Sequence, residues 1–142
     1  MSIITAASQA SLWRGYEYYT EKKVKSFTKI SDNEYEGIVD GNGAEPYQVK
    51  INAVHTQQSK CNCPHADGKR IICKHMVALY FTAFPSEADE YIKRVEECER
   101  EEEQRELERL EEIKEYVNSL TKAELRHERT NYILESENNR YY

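Results

Sequence analysis

Within fifteen residues the chain reads Cys61-Asn-Cys63-Pro-His65-Ala-Asp-Gly68-Lys-Arg-Ile-Ile-Cys73-Lys-His75. Nothing else in its 142 residues limits the possible folds as tightly. Two cysteines one residue apart, a nine-residue loop, then a cysteine and a histidine one residue apart supply three thiolates and an imidazole. A Cys₃His set is that of a closed structural zinc site, with Zn–S near 2.3 Å and Zn–N about 2.0–2.1 Å. Soft sulfur ligands favour zinc over the hard ions calcium and magnesium. A catalytic zinc keeps a position open for water, whereas Cys61, Cys63, Cys73 and His75 fill all four, so hydrolysis is not expected. A disulfide is a poor alternative, because Cys61 and Cys63 are too close for easy pairing and a reducing cytosol opposes it. His65 is a rival ligand two residues from Cys63, but with it in place Cys73-Lys-His75 would lose its evident purpose. A loop or supporting role suits His65 better. Gly68 lets the loop turn back, and Cys73 and His75 stand in the first turn of a predicted helix, whose positive dipole end favours a thiolate. His55 and His127 have no partner at ligand spacing and read as surface residues. Cys98, alone on a charged stretch, reads as a packing position.

Charge and turn residues divide the chain. Residues 1–84 carry 10 Lys or Arg against 8 Asp or Glu, and residues 85–142 carry 10 against 18. All three prolines lie at or before Pro85 and all five glycines at or before Gly68. The first part therefore holds the turns, and the second reads as uninterrupted helix. With 39% apolar and 32% charged residues, a small core beneath a very polar surface is the expectation. No apolar run approaches the roughly 20 residues that cross a bilayer, and the amino terminus does not read as a signal peptide. A cytoplasmic location is expected, or a nuclear one in a host that has a nucleus.

Periodicity places the elements. Leu12, Tyr16 and Tyr19 give an amphipathic helix over residues 5–22. Strands follow over 24–30, 35–40 and 47–52, with Tyr47, Val49 and Ile51 alternating against polar neighbours, and a fourth is predicted through 55–61. Residues 76–84 are apolar nearly all round, which suits a buried helix ended by Pro85. Ser86 is a candidate N-cap for a long helix over about 87–118, and Thr121 with Glu124 has capping-box spacing for a second over about 122–136. The expected fold is thus α+β: a zinc-finger domain over 1–84, with an N-terminal helix, a short antiparallel sheet and a ββα-like zinc site, followed by an acidic helical arm over 85–142.

Cys61-x-Cys63-Pro64, Gly68 and Cys73-Lys74-His75-Met76 resemble the core wording of the SWIM-type zinc finger. Arg14-Gly15-x-x-Tyr18-Tyr19, Val39-x-Gly41 and Tyr47-x-Val49-x-Ile51 resemble the segment that often precedes it in small bacterial members. Lys22 stands where that pattern has a glycine. The resemblance spans about residues 12–84 and leaves the acidic helices outside. It implies a zinc-stabilised finger that binds DNA or other proteins.

Two kinds of partner follow. The first is a protein: the structural zinc site presents a protein-binding surface on the finger, while Leu110, Ile113, Val117 and Leu120, spaced 3, 4 and 3 residues apart, form a short coiled-coil-like seam for another helix or a second copy, unless they close on the last helix as a hairpin. Alternatively Lys22, Lys23, Lys25, Lys29, Lys69, Arg70 and Lys74, with Trp13, Tyr16, Tyr18 and Tyr19, form a basic surface for DNA or RNA. A net charge of +2 over residues 1–84 is weak support for phosphate binding. No phosphate-binding glycine loop or nucleophile motif is present, so an enzyme is not expected.

Overall fold

The computed structural model describes residues 2–141. Two compact units divide the chain, Met1–Lys93 and Arg94–Tyr142. The first opens with α1 (Ile3–Ala6) and α2 (Gln9–Thr20) in place of the single helix expected over 5–22. Ser8 breaks them apart: its backbone is extended, and its hydroxyl accepts the N–H of Ser11 to cap α2. The end of α2 is a Schellman turn, with Lys23 N–H donating to the Tyr18 carbonyl and Lys22 N–H to that of Tyr19. Such a turn needs a left-handed residue just past the helix. Lys22 takes that conformation with φ 56°, which is the physical reason a glycine stands here in the resembling pattern.

Four strands follow in the antiparallel order β1 (Val24–Lys29), β2 (Glu34–Val39), β3 (Tyr47–Asn52) and β4 (Lys60–Cys61). Tyr35 pairs with Ile51 and Gly37 with Val49, so the alternating apolar positions of β2 and β3 share one face. Val39, Val49 and Ile51 are fully buried there, while Glu36, Ile38 and Gln48 face solvent. The fourth strand is much shorter than the predicted 55–61. The Asn52 side chain accepts the N–H groups of Val54 and His55, an Asx turn that leads the chain into a 3₁₀ turn over Thr56–Gln58 before pairing resumes.

Against the apolar face lies α3 (Lys74–Ala83), buried continuously from His75 to Phe81 because the sheet covers one side and α2 the other. Gly15 permits the close approach of α2, since a Cβ there would overlap the Val77 side chain. The helix ends at Phe84, which precedes a proline and leaves the helical region. The long helix α4 (Pro85–Ser119) begins at Pro85 itself, so Ser86 is not its N-cap. Proline suits a first helical position, where its missing N–H has no intrahelical acceptor to lose. Ala88 and Tyr91 extend the first core beyond residue 84, Tyr91 stacking on Phe81 at 5.5 Å.

In the second unit, α4 continues to Ser119 and α5 spans Lys122–Asn138. Thr121 and Glu124 form the reciprocal capping box that their spacing suggests. Among the described residues the seam does not close as a hairpin: Leu110, Ile113 and Val117 remain 47%, 50% and 41% exposed, and α5 has no buried residue. No helix is long and apolar enough to cross a membrane among the described residues.

Candidate metal centre

Strand pairing brings the first two ligand candidates into place. Cys61 ends β4 opposite Val49, and the turn after it folds over Cys63, whose carbonyl accepts the N–H groups of Ala66 and Asp67. Gly68, at φ 68°, reverses the loop. Cys73 is the N-cap residue of α3 and His75 lies in its first turn. The donor atoms of Cys61, Cys63, Cys73 and His75 all lie within 4.8 Å of one another, and all four residues are buried. His75 Nδ1 stands 3.8 Å from Cys61 Sγ and 3.7 Å from Cys73 Sγ. Tetrahedral zinc with its usual bond lengths separates a sulfur from a nitrogen ligand by about 3.6 Å. The residues therefore fit zinc, which would join the end of β4 to the start of α3.

The thiols make the same point electrostatically. A hydrogen bond from Cys61, with further support from His75 and the Met76 amide, pulls the Cys73 thiol down to about 4 against the opposing effect of burial. Cys61 holds the other end of that interaction and is pushed up by it and by burial. Burial, then the neighbouring Cys73 charge, also raises Cys63. Without a cation the pocket holds one thiolate well and resists the other two. A divalent ion held by Cys61, Cys63, Cys73 and His75 would reverse that balance and favour ionisation of all three thiols.

Beyond its Nδ1 contacts with the two thiols, His75 is held by aromatic rings. Its imidazole lies 4.6 Å from the Tyr47 ring and 5.5 Å from that of Tyr18, centroid to centroid. With Nδ1 turned to the thiols, Nε2 is buried without a hydrogen-bond partner. Ligating histidines ordinarily donate this second N–H to a carboxylate, a carbonyl or water.

The rival and isolated residues are dispersed. His65 is exposed and outside the four-donor group. His55 stands exposed before the 3₁₀ turn, and His127 contacts Asn131 on the exposed surface of α5. Cys98 is exposed on α4 and is not the packing position expected of it.

The basic residues divide into two groups. Lys23 pairs with Glu21, Lys25 with Asp40 and Lys29 with Asp32. Lys22, Lys69, Arg70 and Lys74 form no ion pair among the described residues, although the Lys74 ammonium rests 4.8 Å from the centre of the Tyr18 ring. The tyrosines are not a stacking platform: Tyr18 is buried, and Tyr16 and Tyr19 pack on Phe81. Trp13 alone of the aromatic group is largely open, at 41% exposure. Arg14, absent from the predicted basic set, lies beside the centre. With Ser8, Ser11, His65 and Lys74 it lines a cleft of about 310 Å³ that reaches Cys63, Cys73 and His75. Its helical face is readable in the sequence, but the packing of α2 beside the ligand loop is not.

Residues 47–84 match the family model for the SWIM zinc finger, a span that runs from the start of β3 through Phe84 and contains both ligand pairs. No curated protein and no solved structure matches the chain.

Proposed function

We propose that this chain, a SWIM-type zinc-finger protein, is a non-catalytic interaction module whose zinc site is structural and whose helical arm docks on a partner protein. The observation that carries this reading is the seam on α4. Leu110, Ile113 and Val117 keep coiled-coil spacing and stay about half exposed, with no segment of the second unit covering them among the described residues. A helix that leaves such a row open is suited to burying it against another helix. The four-ligand set leaves no coordination position for a reacting water, in keeping with a binding role. The test is affinity purification with the triple variant Leu110→Glu, Ile113→Glu, Val117→Glu. Loss of the partners recovered with the wild-type chain is expected, and an unchanged set would sink the docking assignment.

A second reading, DNA or RNA binding, is favoured by the position of the free cations. The lysines of the first strand are matched by carboxylates, whereas Lys69, Arg70 and Lys74 gather around the ligand loop without one. A phosphate backbone would find its counter-charges there. Fluorescence anisotropy with labelled single- and double-stranded DNA and RNA at two salt concentrations tests it. Micromolar binding that weakens with salt supports the reading, and no binding at low salt removes it.

A further inference from the structure

We infer that the cleft between the first turn of α2 and the ligand loop is an oxyanion site that takes a phosphate group of a nucleic-acid backbone. The inference rests on the second reading above and narrows it to one place. Ser8, Ser11, Arg14, His65 and Lys74 line the cleft together with the ligand residues Cys63, Cys73 and His75, and no carboxylate does. Arg14 has no ion-pair partner among the described residues, so its guanidinium is free to fork onto two oxygens of one phosphate. The Lys74 ammonium, held against Tyr18, adds a second positive charge.

Backbone geometry adds to the side chains. α2 is a twelve-residue helix with no acidic residue in its first turn. Ser8 satisfies the Ser11 amide, but the amides of Gln9 and Ala10 precede any intrahelical acceptor, and the helix dipole favours an anion before them.

The cations extend beyond the cleft, which favours a polyanion over a single ion. A second cleft of about 420 Å³ runs along the same loop, where Lys60, Lys69 and Arg70 outnumber the one carboxylate, Asp67. A chain of phosphates can engage both clefts, and the zinc-held loop would fix the spacing between their charges.

The experiment uses the zinc-loaded full chain, observed by amide-resolved NMR during titration with inorganic phosphate, a short oligodeoxythymidylate, and the same oligomer with an uncharged methylphosphonate backbone. Phosphate and the charged oligomer should shift the amides of Gln9, Ala10, Arg14 and Lys74, and the uncharged oligomer should not. Arg14→Gln and Lys74→Gln should each weaken oligomer binding about tenfold. Each should also reduce the salt dependence by roughly 0.7 in log–log slope, the share of one neutralised phosphate on a single strand. Lys25→Gln, whose wild-type lysine is already paired with Asp40, should bind as the wild type does. Both substituted cleft residues are solvent-accessible, so unchanged zinc content verifies the fold. Shifts with inorganic phosphate alone would keep the oxyanion site and overturn its nucleic-acid source. Oligomer binding undiminished in both variants would overturn the cleft while leaving the second reading in place. No binding of either charged probe would overturn both.

Discussion

Cys73 stands at the junction of the chemistry and the fold. It is the N-cap residue of α3 and has the thiol most readily ionised of the three, lowered first by its interaction with Cys61, while Cys61 and Cys63 are pushed the other way. At neutral pH the metal-free pocket therefore retains protons on Cys61 and Cys63 that zinc must displace. Zinc binding is expected to release protons, and apparent affinity to rise with pH as displacing them becomes easier. Calorimetry in buffers of different ionisation enthalpy measures the release directly, and a pH-independent affinity would contradict it. Cys73→Ala and His75→Ala should each lower zinc content and melting temperature, whereas His65→Ala should leave both near wild type. Spacing alone singles out the cysteines. The pairing of Cys73 with His75 already favours His75 over His65, and the structure adds that Cys73 is the N-cap residue of α3 with His75 in its first turn.

At the scale of elements, the sequence and the structure part where a local side chain redirects the backbone. Ser8 splits the predicted first helix, and the Asn52 Asx turn cuts the predicted fourth strand to two residues. Hydrophobic period alone does not report such side-chain-to-backbone bonds, although the residue types that make them are visible. The central strands and the buried helix are legible because burial on one face, or on all, writes itself into the pattern. Lys22 offers a direct test. Lys22→Gly relieves a left-handed residue and, after the extra unfolded-state entropy of glycine, should stabilise the fold by about 0.5–1 kcal/mol. Gly15→Ala should do the reverse. Its new Cβ meets Val77, and overpacking less the gain in helix propensity leaves a cost of about 1–2 kcal/mol. For a domain of this size each kcal/mol moves the melting temperature by roughly 4–8 °C, so thermal denaturation resolves both signs.

Across the whole molecule, two units carry different physics. Met1–Lys93 holds the buried core and the four-donor group, while the described residues of the second unit are helical with almost all their side chains in solvent. The charge split and the absence of glycine and proline mark the change in character, but the compact first unit runs to Lys93 because Tyr91 joins its aromatic core. Replacing Leu110, Ile113 and Val117 by glutamate should leave the melting of the first unit unaltered, because none of the three is buried. Zinc should have the opposite effect. Structural zinc in small domains supplies apparent free energies of about 10–16 kcal/mol, comparable to or larger than the stability of an ordinary domain. The most direct measurement is therefore native mass spectrometry of the full chain paired with calorimetric melting before and after chelation. The expected result is one zinc per chain and, once it is removed, loss or a large downward shift of the cooperative transition of the first unit. A chain that carries no zinc, or that melts unchanged after chelation, would contradict a metal-built fold.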